Sequence, residues 1–170
     1  MTTTLSGYGV SVGVPKGWDA RITKLDPVDP LSQAARRANP GIDVEVTRPF
    51  LHMANLPLPK ERDSFGGGVI ERMNAEHVLV ALIEYSAECM NTALFATEGI
   101  PRSLTARSFD RRALQRIIPG QAGSQTFCHE AGRPFCLYVV VGSHVRAGSM
   151  VHQVNRVLRS LSISAAGGAG

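Results

Sequence analysis

The chain has 170 residues and a mass of 18.2 kDa, with 44% hydrophobic and 19% charged residues. That composition suits one domain and excludes a disordered or fibrous chain. The formal net charge of +4 is ordinary for a folded domain.

A chain this long buries about 70% of its unfolded surface, so its core needs neither a disulfide nor a metal. The longest apolar runs, near 78–83 and 137–141, reach about seven residues. A membrane-spanning helix needs about 20, so no membrane span is expected. The N-terminus, Met1-Thr-Thr-Thr-Leu-Ser-Gly, has neither a basic start nor an apolar stretch, and the chain reads as cytoplasmic.

Charge is unevenly spread. Residues 1–100 carry nine basic and twelve acidic side chains, a net −3, whereas residues 101–170 carry nine basic and two acidic, a net +7. The C-terminal part could present a positive face to an anionic partner. Three cysteines, Cys89, Cys128 and Cys136, with no CxxC spacing, fit reduced thiols and give no zinc signature.

In chain order, residues 1–7 read as an N-terminal extension. Gly7 to Val14 alternates with period two, a strand. Pro15-Lys16-Gly17 is a turn, and Trp18 to Lys24 reads as the second arm of a hairpin. Residues 26–43 hold prolines at 27, 30 and 40 and read as a surface loop containing a short helix over 31–38. Val46 to Leu56 is a third strand, closed by Pro57 and Pro59. Asp63 or Ser64 is expected to cap a short helix that follows the glycine run Gly66-Gly67-Gly68.

His77 to Tyr85 is apolar on both faces and is expected at the centre of a sheet. Residues 88–97 fit helix or loop, and Leu104 to Phe109 fits a strand. Residues 119–123 form a turn cluster. Ser124 to Glu130 and Phe135 to Val141 form a hairpin around Ala131-Gly132-Arg133. Met150, Val154, Val157, Leu158 and Leu161 mark one face of an amphipathic helix over 149–163, with Ser149 as its cap. Residues 164–170 read as a flexible Gly/Ala tail. The domain is thus expected over 8–163. Its class is α+β, an antiparallel β-sheet flanked by helices, with the C-terminal helix on the sheet.

The strand ending Val14-Pro15-Lys16-Gly17-Trp18, the central strand at 77–85, the hairpin around Gly132-Arg133-Pro134-Phe135 and the closing helix with Asn155 to Leu158 together resemble the PsbP-like fold. That group includes the photosystem oxygen-evolving protein P, a yeast Ran-binding nuclear-import factor, and bacterial secretion-effector chaperones and lipoproteins. The chain also resembles uncharacterised actinobacterial proteins of this size. The resemblance covers residues 8–163 and implies a binding or accessory module rather than an enzyme. It carries no functional residues over.

Candidate chemistry is sparse. Gly66, Gly67 and Gly68 could cradle a phosphate, but no GxGxxG or GxxxxGK[ST] accompanies them, so they read as a structural turn. A two-residue loop at 131–132 puts Cys128 opposite Phe135 and Phe127 opposite Cys136. The two cysteines then lie on opposite faces, which argues against a disulfide. Cys128 and His129 point apart and cannot form a nucleophile–base pair. His77, His129, His144 and His152 show no HxH or HExxH spacing, so no catalytic residue, metal or cofactor is expected.

Arg102, Arg107, Arg111, Arg112 and Arg116 face only Asp110 in sequence and are the candidate partner-binding residues. Only Phe109 lies among them, which makes nucleic acid an unfavoured partner. Trp18, Gly66, Gly67, Gly68, Gly132 and Leu158 are read as structural. The expected function is a non-enzymatic accessory or adaptor module, chaperone-like, that binds another protein as a component of a larger assembly. The alternative is a binder of a small anionic ligand or nucleic acid through residues 102–116.

Overall fold

A computed structural model describes residues 2–24 and 48–166. The helix expected at 31–38 and its surrounding loop lie outside the described residues. The chain is α+β with antiparallel pairing, but it builds two sheets rather than one. A three-stranded sheet has the order β1 (Thr3–Gly7), β2 (Val10–Val14), β8 (Ser162–Ile163). A five-stranded sheet has the order β3 (Asp19–Thr23), β4 (Phe50–Ala54), β5 (Val78–Glu84), β7 (Arg133–Val141), β6 (Ala122–Glu130). One α-helix is present among the described residues, α1 (Ala147–Ser160).

The N-terminal extension expected over residues 1–7 is instead a strand. Thr3 to Gly7 pairs with Val14 to Val10 through a turn at Tyr8-Gly9. Its Thr and Ser residues carry no apolar alternation, so the sequence pattern did not mark it. The hairpin expected between residues 7–14 and 18–24 does not form. The Pro15–Gly17 turn closes, with the Trp18 N–H donating to the Pro15 carbonyl at 3.1 Å, yet it hands the chain from one sheet to the other. β3 then pairs with β4.

β5 is central, and all seven of its residues are buried. Its side chains alternate between two cores, as a pleated strand requires. Val78, Val80 and Leu82 enter one core, while Leu79, Ala81 and Ile83 enter the other. β7 divides likewise, with Leu137 and Val139 on the first side and Tyr138 and Val140 on the second. The first core also contains Val10 and Val12 of β2 and Met150, Val154, Val157 and Leu158 of α1. The second is closed by loop residues, among them Leu56, Leu58, Val69, Ile70 and Leu114.

The β6–β7 hairpin has the register read from sequence, Glu130 opposite Arg133 and Phe127 opposite Cys136. Ala131 and Gly132 both take positive φ, 53° and 72°, which a two-residue hairpin turn of this twist demands. Cys128 lies in the first core and Cys136 in the second, so no disulfide can join them.

Several local expectations are corrected. The strand expected over 104–109 is a 3-10 turn at Ala106–Ser108. Leu104 and Phe109 are buried on either side of it, giving apolar ends without strand pairing. The helix expected after the glycine run is one 3-10 turn, Ile70–Arg72, with Val69 as its cap. Ser149 does not cap α1. Arg146 holds that position, and the Ser149 hydroxyl donates back to its carbonyl from inside the first turn. The tail begins later than residue 164, because Ser164 donates its N–H to the Gly9 carbonyl at 2.9 Å.

The connection from β5 to β6 covers the exposed edge of β6 at both ends. Gly99 and Thr97 bond to the backbone of His129, and Asp110 exchanges two hydrogen bonds with Gly123. Such cover blocks sheet-to-sheet association. Asn155 of α1 secures the same connection, accepting from the Leu104 N–H at 2.8 Å and donating to its carbonyl at 3.0 Å.

Candidate functional site: a groove beside the C-terminal helix

The five arginines of the 102–116 segment do not act together. Arg102 is part of the fold. Its Nη2 donates to both carboxylate oxygens of Glu130, at 3.0 and 2.9 Å, and its Nη1 donates to the Ile100 carbonyl at 2.8 Å. Arg116 lies 3.7 Å from Glu71 in an exposed pair. Arg107, Arg111 and Arg112 are exposed, and their guanidinium groups have no bonded partner among the described residues. They line none of the depressions described below.

The glycine run is a structural turn. The Asp63 carboxylate accepts from the N–H groups of Phe65 and Gly67, at 2.9 and 2.8 Å, and Glu71 accepts from Gly68 at 2.7 Å. Those N–H groups face carboxylates already, which leaves no cradle for a phosphate. A Cβ at Gly67 would collide with Asp63, and one at Gly66 with Leu79.

Among the described residues, concavity lies where α1 passes the β2–β3 turn and the end of β4. Three solvent-open depressions adjoin there, the largest about 500 Å³. Each pair of them shares one residue: Gln153, Asn55 or Trp18. Together they form one groove. Helical spacing makes its first wall, since Arg146, Ser149, Gln153 and Arg156 follow at steps of three and four and share a ridge. The turn carrying Lys16 and the segment Leu56–Pro57 make the opposite wall.

Trp18 is half-buried. It packs against the first core and also lines two of the depressions. Asn55 fixes the groove floor. Its Oδ1 accepts from the Val78 N–H at 2.7 Å and its Nδ2 donates to the Glu76 carbonyl at 3.0 Å. His77 accepts the Asn74 N–H on Nδ1 at 3.0 Å, so its neutral ring carries the proton on Nε2. Arg146 and Glu76 form an exposed pair at 3.4 Å. Among the described residues, no hydrogen bond in the groove joins a nucleophile to a base.

Gln153 and Arg156 lie off the apolar face that the sequence marks on the helix. Sequence reasoning had no means of bringing Lys16, Trp18 and Asn55 opposite them. The available signal was the absence of any acid between Ala147 and Ser160.

Polar groups also reach into the interior at His52 and at Tyr138. His52 is fully buried in β4, with Nε2 donating to the Ser64 carbonyl at 2.8 Å and Nδ1 accepting from Arg62 Nε at 3.0 Å. Burial, with the adjacent Arg62 charge, pushes its pKa down to about 4. The Tyr138 hydroxyl accepts from the Gln115 N–H at 3.0 Å, and burial raises its pKa. Among the described residues, no three His, Cys, Asp or Glu side chains gather as a metal ion requires. No helix there is long and apolar enough to cross a membrane.

No family model, curated protein or solved structure matches the chain.

Proposed function

We propose that this chain is a non-enzymatic accessory module that binds another protein, and that the groove around Trp18, Asn55 and Gln153 is where the partner docks. The observation that carries this reading is the convergence of the three depressions on one helix ridge beside a half-buried tryptophan. Exposed aromatic surface flanked by long polar side chains is the usual chemistry of protein interfaces. The groove is shallow and open, which suits a polypeptide better than an enclosed small molecule. The PsbP-like resemblance points the same way, since understood members of that fold mainly bind or assist other proteins. A cytoplasmic place and membership of a larger assembly belong to this proposal.

A second reading has its own support. Arg107, Arg111 and Arg112 are exposed cations without a bonded partner among the described residues, and such a set attracts anions, nucleic acid included.

A photoreactive amino acid at position 153, and separately at position 112, in the full chain in its native host, distinguishes the two. The first reading expects a protease-sensitive adduct from position 153 and none from 112. Adducts from 112 alone, or nuclease-sensitive adducts, would overturn it.

A further inference from the structure

We infer that the partner segment taken by the groove is an acidic, extended peptide with an apolar residue seated against Trp18. This deepens the reading above and rests on it.

The first support is charge. α1 contains no Asp or Glu, and Arg146 stands at its N-cap. The depression between Lys16 and Arg156 has cations on both walls and no acid in its lining. Acids do flank the groove, but each is engaged. Asp19 accepts the Leu58 N–H at 2.9 Å and lies 3.7 Å from Arg21, and Glu76 pairs with Arg146. Lys16 and Arg156 thus stand at one end of the groove, and Arg146, in its pair with Glu76, at the other.

The second support is length. From Arg146 to Arg156 is ten residues of helix, about 15 Å at 1.5 Å per residue. A strand rises about 3.3 Å per residue, so four or five extended residues reach from Arg156 to Arg146. A single small anion cannot reach both.

The third support is the groove floor. Trp18 and Pro15, with Pro57 on the adjoining wall, offer apolar surface beside the charges. Gln153 accepts from Asn55 through Oε1 at 3.5 Å, which leaves its Nε2 donor for a peptide carbonyl. Nucleic acid fits less well. One tryptophan gives no stacking ladder.

Trp18 is the chain's sole tryptophan, so its emission reports occupancy of the groove directly. The probe is the peptide acetyl-Glu-Glu-Leu-Glu-Glu-amide. The controls are the same peptide with Lys for Glu, and oligothymidylate of similar length. The acidic peptide should change Trp18 emission saturably, and the lysine peptide should not. Lys16→Gln with Arg156→Gln should weaken binding about tenfold, as loss of two exposed charge contacts implies. Both residues are exposed, and an unchanged melting temperature would show that the double variant folds. Raising salt from about 50 to about 300 mM should weaken binding too, because screening shortens the Debye length.

Arg111→Gln with Arg112→Gln should leave binding unaltered. The inference is overturned if the acidic peptide gives no saturable change, if the lysine peptide or oligothymidylate binds as well, or if the Lys16/Arg156 variant binds normally. A polypeptide adduct at position 153 combined with any of those results would leave the docking site standing and remove only its acidic specificity.

Discussion

Arg133 and Glu84 form a buried ion pair at the end of the five-stranded sheet, with Nε to Oε1 at 3.0 Å and Nη2 to Oε2 at 2.7 Å. Both side chains are about 5% exposed. The pair also joins the two sheets. Arg133 donates through Nη2 to the Tyr8 carbonyl at 2.8 Å and through Nη1 to the Ser164 carbonyl at 2.9 Å. One guanidinium therefore ties the β1–β2 turn and the end of β8 to β7. Removing one member of a buried pair leaves the other charge without compensation, at a cost of about 3–5 kcal/mol. Glu84→Gln and Arg133→Met should each lower stability by that order in denaturant unfolding. The double variant should recover only part of the loss, because the Tyr8 and Ser164 carbonyls still lack a donor. A single variant with wild-type stability would show that the pair contributes nothing net.

His52 gives the fold a pH dependence of calculable sign. Its pKa is about 4 in the fold and 6.5 as the ordinary value. Between those values the unfolded chain binds the proton and the folded chain does not. Stability is therefore complete above pH 6.5 and falls as pH drops toward 4. The full drop from this group is about 3 kcal/mol. Carboxylates contribute in the same window, so the useful quantity is a difference. His52→Gln should be less stable than the wild type at pH 7, yet lose less on going to pH 4, by about the same 3 kcal/mol. Parallel stability curves for the two proteins would show that His52 titrates in its ordinary range.

What could be read from the sequence depended on whether one element's own periodicity decided its fate. β5 was legible because an apolar run on both faces belongs in the middle of a sheet. The β6–β7 hairpin was legible because a two-residue loop fixes every pairing after it. Pairings between distant segments were not. The Pro15–Gly17 turn is the same in either topology, and nothing in residues 7–24 says that β2 turns to β1 and β8 while β3 turns to β4. Arg133 follows a tight turn and so reads as a surface residue, although Glu84, Tyr8 and Ser164 bury it. The groove was least legible, since Lys16, Asn55 and Gln153 come from three separate elements. The arginine run was the most visible charge feature in one dimension, but the fold commits Arg102 to Glu130, sets Arg116 beside Glu71 and leaves Arg107, Arg111 and Arg112 exposed outside the groove.

The three thiols should differ sharply in reactivity. Cys89 is half-buried in a 3-10 turn, while Cys128 and Cys136 are buried. Burial, with Glu130 nearby, pushes the Cys128 pKa up to about 11. At pH 8 about one Cys128 in a thousand is then thiolate, the reactive form. A disulfide-exchange reagent on the native protein should label Cys89 first, and Cys89→Ser should abolish that phase. In denaturant all three should react without prior reduction. Fewer than three would mean that a disulfide forms despite the opposed faces.

The C-terminal end sets a boundary that truncation can locate. Leu158 is 1% exposed in the core shared by α1 and the sheets. Leu158→Asp places a charge there without a partner, a cost of several kcal/mol that should unfold most of the population. Past the helix the outcome depends on where the chain stops. Ala165 and Ala166 are exposed, so ending the chain at Ser164 should change stability by no more than a few tenths of a kcal/mol. Ending it at Leu161 removes β8, its pairing with Val10 and Ser11, and the Ser164 carbonyl that accepts from Arg133. One buried guanidinium then loses an acceptor, which alone costs about 1–3 kcal/mol. The melting temperature should hold for the first truncation and fall clearly for the second. Equal losses from both would move the end of the domain beyond Ser164, and no loss from either would show that β8 does not tie the two sheets together.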